Sequence, residues 1–273
     1  MFNLGRCCYF LLLIISLTIS GRVFADGMIN IPILVYHNFN PTIPGSMTLK
    51  PDKFETQIKW LKDNGFTIIP LQEAVAYLQG KRTSLPEKSV VITADDGWES
   101  VYKYMVPIVK KNNIPVTLFI YPETISEGKN AMSWDQLKEL QKTGLFDIQS
   151  HTDWHPNFKQ ERKRRSADSY QQFVSKELAH SKNTLEEKLG IKVTLLAWPF
   201  GIYDTSLENA AAKAGYTMAF SIDARPANRG YRDMAQPRFM IIEDQSMQTF
   251  IGIVNGAKLK NNAANKKAAK TLL

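Results

Sequence analysis

A chain of 273 residues, 44% hydrophobic and 22% charged, can bury one large core and has the composition of neither a disordered nor a polytopic membrane protein. Its two cysteines, Cys7 and Cys8, lie near the start, so the remainder excludes a disulfide framework, thiol catalysis and cysteine-ligated zinc, and any metal must be held by His, Asp or Glu. The formal charge of +8 gathers at the ends, in Arg6, Arg22 and the lysines from Lys258 to Lys270, and the nearly neutral body between them argues against a nucleic-acid partner.

Residues 1–25 read as an export signal: Arg6 gives a positive start, Phe10 to Ile19 an apolar run, and Val23-Phe24-Ala25 a cleavage site. The run is short of the about 20 apolar residues a spanning helix needs; an uncleaved anchor is the alternative. The expected location is therefore outside the cytoplasm: periplasm, extracellular space or cell envelope. Residues 26–255 form one body. Residues 256–273 form a basic tail, a solvated or loosely helical end, with weak contact to an anionic envelope surface as the sharper alternative.

Within the body, Ile31 to Tyr36 reads as a buried strand, and Phe54, Ile58 and Leu61 recur at helical spacing before Gly65. Thr67 to Ile69 is a short strand and Leu71 to Leu78 a helix. Val90 to Thr93 is a strand running into Asp95-Asp96-Gly97. Val101 to Val109 is helical, with a bend expected at Pro107. Val116 to Tyr121 is a strand, and Ser133 with Gln136 forms a capping box for a helix through Leu140. Phe146 to Gln149 leads into His151, and the basic run Lys159 to Arg165 reads as a loop, solvated or steering an anionic glycan. A long polar helix covers Ser169 to Leu189. Strands follow at Val193 to Trp198, Thr217 to Ile222 and Phe239 to Ile242, with helices at Ser206 to Lys213 and Met247 to Val254.

Such alternation implies parallel strands joined by crossover helices, in a barrel or an open doubly wound sheet. In a parallel barrel chemistry gathers at the C-terminal strand ends. His37, Asp95, Asp96, His151 and the turn Trp198-Pro199-Phe200-Gly201 all fall at such ends. Neighbouring residues at a strand end point in different directions, so one of Asp95 and Asp96 can bind a metal while the other faces a substrate; a simple Asp-Gly turn is the plain alternative. Asp96, His151 and His155 make a two-His, one-carboxylate set with open positions, suited to zinc and also to Co, Ni, Mn or Fe.

These segments carry a resemblance. Thr93-Ala94-Asp95-Asp96-Gly97 resembles the Thr-Phe-Asp-Asp-Gly motif of the polysaccharide deacetylases, the NodB-like carbohydrate esterases. His151-Thr152-Asp153-Trp154-His155 is similar to that family's His-Ser/Thr-x-x-His, and Trp198-Pro199-Phe200-Gly201 to its Pro-aromatic-Gly turn. The resemblance spans about Ile31 to Ile242 and implies a distorted (β/α)7 barrel. It also implies hydrolysis of N-acetyl groups on a polysaccharide, with Asp96, His151 and His155 on a divalent metal, Asp95 as general base and the Phe200 N–H as oxyanion donor. Ala94 stands where the family has an aromatic, the arginine of the third motif is missing, and no late Leu-x-His supplies the usual acid. Val35-Tyr36-His37 resembles the start of the bacterial biofilm poly-N-acetylglucosamine deacetylases, which implies that His37 takes the acid role. Arg238, opening the last strand, is the candidate to replace the missing arginine beside Asp95. Trp154, Trp198, Pro199 and Tyr203 are candidate sugar contacts, and His180 reads as a surface residue. The expected partner is an N-acetylated polysaccharide of poly-N-acetylglucosamine type. A peptidoglycan or chitooligosaccharide deacetylase, or a carbohydrate-binding protein on the same fold without catalysis, are the alternatives.

Overall fold

A computed structural model describes residues 29–43 and 45–256; the expected export signal lies outside the described residues, as does all of the expected tail but Gly256. In chain order the first half contains β1 (Ile33–Tyr36), β2 (Asn38–Phe39), β3 (Thr48–Leu49), α1 (Pro51–Asp63), β4 (Thr67–Ile68), α2 (Leu71–Leu78) and β5 (Ser89–Asp95). Then come α3 (Val106–Asn112), β6 (Val116–Ile120), α4 (Trp134–Lys142) and β7 (Phe146–Ser150). The second half contains α5 (Phe158–Arg164), α6 (Ala167–Leu189), β8 (Leu195–Ala197), α7 (Thr205–Lys213), β9 (Met218–Phe220), β10 (Phe239–Met240) and α8 (Met247–Val254). No helix among the described residues is long and apolar enough to cross a membrane.

The main sheet is parallel throughout, in the order β10-β1-β5-β6-β7-β8-β9, with β4 added at the start of β5. Its open edges approach each other: Gln236, three residues before β10, bridges Phe220 of β9 in parallel, and the N–H of Ser221 donates to the Gln236 carbonyl at 2.8 Å. The sheet therefore curls into a distorted barrel, as the family resemblance implies, and not into the open doubly wound sheet that the alternation of elements also allowed. All seven residues of β5 are buried, which explains why its apolar residues Val90, Val91 and Ile92 are consecutive and do not alternate with exposed polar ones.

Local chemistry sets the helix ends. Ser133 and Gln136 form the expected capping box on α4. Two segments differ from expectation. Val101–Met105 is a π-helical turn running into α3, not a plain helix bent at Pro107. The Val106 N–H bonds the Val101 carbonyl, and Pro107, with no N–H, cannot continue the ladder from the next position. The run from Lys159 is helix α5 rather than a loop, started by Asn157, whose side chain accepts the Gln160 N–H. Its charges are largely paired: Arg162 with Asp204, and Arg164 and Arg165 with Glu161.

Candidate active site

The C-terminal ends of β1, β5 and β7 and the turn after β8 meet around a cavity of ≈ 110 Å³. His37, Asp95, Asp96, His151, His155 and Phe200 line it. Backbone strain concentrates here. Asp96, Thr152, His155 and Phe200 are four of the six non-glycine residues at positive φ among the described residues. Such conformations cost of order 1–3 kcal/mol each and persist only where the surroundings hold them. Gly201 belongs to the same construction, because a Cβ there would come within 2.5 Å of Ile222 on the cavity wall.

Asp95 ends β5 at 1% exposure. Arg238, 0% exposed, grips it with both arms: Nη1 donates to Oδ1 at 2.8 Å and Nη2 to Oδ2 at 2.6 Å. The guanidinium is itself held by the Ser221 carbonyl and Thr93 Oγ1. Burial works against the Asp95 charge, but Arg238, aided by His151, outweighs it and holds the carboxyl below its ordinary range. The structure thus places Arg238 where the missing motif arginine was expected to be replaced.

Asp96 turns the other way. Its Oδ2 accepts the Trp98 indole N–H at 3.0 Å, and its Oδ1 is buried with no hydrogen-bond partner. That bare oxygen lies 3.5 Å from His151 Nε2 and 3.7 Å from His155 Nε2. His151 Nδ1 is 2.8 Å from the Ala197 carbonyl, which requires a proton on Nδ1 and leaves the Nε2 lone pair facing Asp96. The donor atoms of Asp96, His151 and His155 all lie within 4.8 Å of one another. An unsatisfied carboxylate oxygen facing two imidazole nitrogens is costly unless a cation lies between them. The three residues fit a divalent metal.

Burial pushes both imidazoles down to about 4, an effect that Asp95 only partly counters. These are bases whose folded pKa lies below the ordinary 6.5, so between pH 6.5 and 4 the unfolded chain binds protons that the folded chain refuses. Metal-free stability is therefore complete above about pH 6.5 and is lost as pH falls toward 4, by on the order of a few kcal/mol per imidazole. Urea midpoints at pH 7.5 and 5 in the presence of a chelator check this; a pH-independent midpoint would contradict the burial of neutral rings.

The other expected site residues divide. His37 lines the cavity at 8% exposure, with Nδ1 buried and unbonded. Phe200 packs its ring 4.5 Å from that of His155, and its N–H meets no protein acceptor among the described residues. Trp198 and Pro199 are corrections: both are buried and neither lines the cavity. Trp198, 1% exposed, donates its indole N–H to the Met234 carbonyl and packs edge-on against Phe158, so it is core. Tyr203 gives its hydroxyl to Asp223 and is also away from the cavity. Trp154 is exposed beside Phe173, outside the cavity lining. Sequence reasoning missed Trp98, which orients Asp96, and the cavity wall of Met47, Ile222 and Met240. It also missed Glu177, whose carboxyl burial pushes up to about 7. The position of Trp98, two residues after Asp96, was the available signal.

The family model for polysaccharide deacetylase matches residues 82–219, half of the chain and the part that contains both aspartates and both histidines of the cluster. The chain belongs to the polysaccharide deacetylase family. A Bacillus subtilis (strain 168) protein named as a polysaccharide deacetylase, YxkH, is 29% identical over 240 residues, covering 88% of this chain and 81% of that one. The poly-beta-1,6-N-acetyl-D-glucosamine N-deacetylase of Staphylococcus aureus (strain MRSA252) is 29% identical over 201 residues, covering 72% of this chain and 69% of that one. Two solved structures share the fold. A Streptococcus pyogenes deacetylase, PplD, in complex with acetate has a TM-score of 0.74 at 24% identity, over 84% of this chain and 99% of that one. IcaB from Ammonifex degensii has a TM-score of 0.72 at 24% identity, over 83% and 97%. As a polysaccharide deacetylase this chain is a hydrolase of N-acetyl groups, and where the third motif lacks its arginine, Arg238, just before β10, stands against Asp95.

Proposed function

We propose that the chain is a metal-dependent, exported N-deacetylase of a poly-N-acetylglucosamine exopolysaccharide. The observation that carries metal dependence is the unbonded Asp96 Oδ1 facing His151 and His155. Zinc suits the donor set best, with Co, Ni, Mn or Fe as possible occupants. The similarity to the Staphylococcus aureus enzyme supports the polymer. The small cavity, with Met47, Ile222 and Met240 on its wall, suits the methyl-bearing acetamido group.

Asp96, His151 and His155 would hold a divalent cation, which would supply Lewis-acid polarisation of the acetyl carbonyl and ease deprotonation of a water. Asp95, kept ionised by Arg238, still has lone pairs free and takes the proton of the attacking water. The Phe200 N–H donates to the carbonyl oxygen as it gains charge. His37 protonates the departing amine as the C–N bond breaks, and acetate and free amine leave. Incubating the protein with poly-β-1,6-N-acetylglucosamine, peptidoglycan and chitooligosaccharides, and assaying acetate, tests the reading. Release chiefly from the first supports it, and release chiefly from either of the others contradicts it. Binding without release from any would indicate a carbohydrate-binding protein.

The acid role of His37 gives a separate expectation. His37→Ala should slow N-acetyl hydrolysis by about 10²–10⁴-fold, the range for a lost general acid. It should barely slow an aryl acetate ester, whose phenolate leaves without a proton. Equal losses on the two substrates would contradict the role.

A further inference from the structure

We infer that Glu177 is a positioning residue for the loop that carries the two metal-binding imidazoles. The inference rests on the reading that Asp96, His151 and His155 hold the cation.

Between those imidazoles the chain passes through Thr152 at φ 67 and enters His155 at φ 62, two left-handed conformations of which the first falls on a β-branched residue that strongly disfavours it. A loop of that kind needs holding from outside, and α6 provides it. Glu177 Oε2 accepts the N–H of Asp153 and the N–H of Trp154, each at 3.2 Å. One turn further along, His180 Nδ1 lies 2.7 Å from Asp153 Oδ1. Ser181 Oγ lies 2.7 Å from Ser150 Oγ, which accepts the Thr152 N–H. Residues 177, 180 and 181 share one face of a helix. The three backbone N–H groups from Thr152 to Trp154 are thus anchored to that face, two of them by Glu177 itself.

Glu177 is 3% exposed and has no cation against it among the described ion pairs. A buried carboxylate lacking a counter-charge carries a desolvation cost that an apolar residue of similar size would not. What an apolar residue cannot do is accept two consecutive amides. The side chain reaches no catalytic group; it acts through the loop, by fixing the separation and direction of the two imidazoles before a cation arrives.

The test measures Zn²⁺ affinity by chelator competition and the urea midpoint of the metal-free protein, in wild type, Glu177→Leu, Glu177→Ser and Glu177→Gln. The leucine and serine variants remove the acceptor. Either should lose about 10–100-fold in Zn²⁺ affinity, the range for groups that orient metal ligands. The metal-free midpoint of the glutamine variant should stay near wild type, and any fall in the leucine variant reads the two amides left without their acceptor. Glutamine keeps an acceptor oxygen at the same reach and should bind Zn²⁺ like wild type. Added Zn²⁺ should return much of the lost turnover with KM for the polymer unchanged. Wild-type affinity in either folded acceptor-less variant overturns the inference, as does a loss in the glutamine variant equal to that in leucine. If wild type itself binds no Zn²⁺, the metal reading fails and takes this inference with it; if wild type binds and the variants match it, the role of Glu177 alone fails.

Discussion

Asp95→Asn should reduce turnover by about 10²–10⁴-fold, the share a general base contributes, while metal affinity stays close to wild type. Asparagine keeps the shape of the side chain and one acceptor oxygen but cannot accept the water's proton. The substitution also has a structural consequence that must be separated from the chemical one. Arg238 is fully buried, and both of its terminal nitrogens bond Asp95. Removing one partner of a buried ion pair costs about 3–5 kcal/mol, because the other charge is left unpaired. Asp95→Asn should therefore lower the urea midpoint as well as kcat. Adding Arg238→Met should recover stability, since an apolar side chain no longer needs the counter-charge, and should recover no turnover. Parallel recovery of both would mean that Asp95 matters only as a structural partner. Near-wild-type turnover in the folded single variant would remove it from the reaction.

Asp96→Asn is expected to weaken divalent-metal binding by more than the about 10–100-fold typical of ligand-supporting groups, because a charged ligand itself is lost. Asparagine is the informative replacement. Asp96 sits at φ 76, where asparagine is tolerated and alanine is strained. An amide oxygen can also still accept the Trp98 indole N–H. The fold and the neighbouring Trp98 therefore remain in place while the anionic donor between His151 and His155 disappears. Acetate release should fall with metal occupancy and return in part at high metal concentration. A variant that binds metal as wild type does, or that works without it, would show the cluster of Asp96, His151 and His155 to be incidental.

The strands and the cluster of Asp96, His151 and His155 could be read from sequence for the same physical reason. Parallel strands buried on both faces appear as short apolar runs, and the polar residues that interrupt such runs at their ends stand out. His37 after β1, Asp95 ending β5 and His151 after β7 were visible in this way, and they converge on one cavity. The sequence did not reveal which side a buried strand end faces. Ala197 and Trp198 follow one another in an all-buried segment, so periodicity could not tell a groove-facing tryptophan from the core residue that packs on Phe158. Helix α5 was missed because its charges hide the apolar signal, leaving Asn157 as its marker. Glu177 was invisible for a related reason: one carboxylate in a polar helix looks solvated, and its burial depends on a loop more than twenty residues earlier. Arg238 became meaningful only because a motif lacked its arginine and the barrel brings β10 beside β1, next to β5.

The most direct measurement strips the protein with a chelator, titrates Zn²⁺ back, and follows bound metal and acetate release from poly-β-1,6-N-acetylglucosamine together. One ion per chain should bind, with acetate release rising in proportion to occupancy, and both signals should be lost in Asp96→Asn. Full release from the stripped protein, or binding that is indifferent to Asp96, would contradict a cation held between that carboxylate and the two imidazoles.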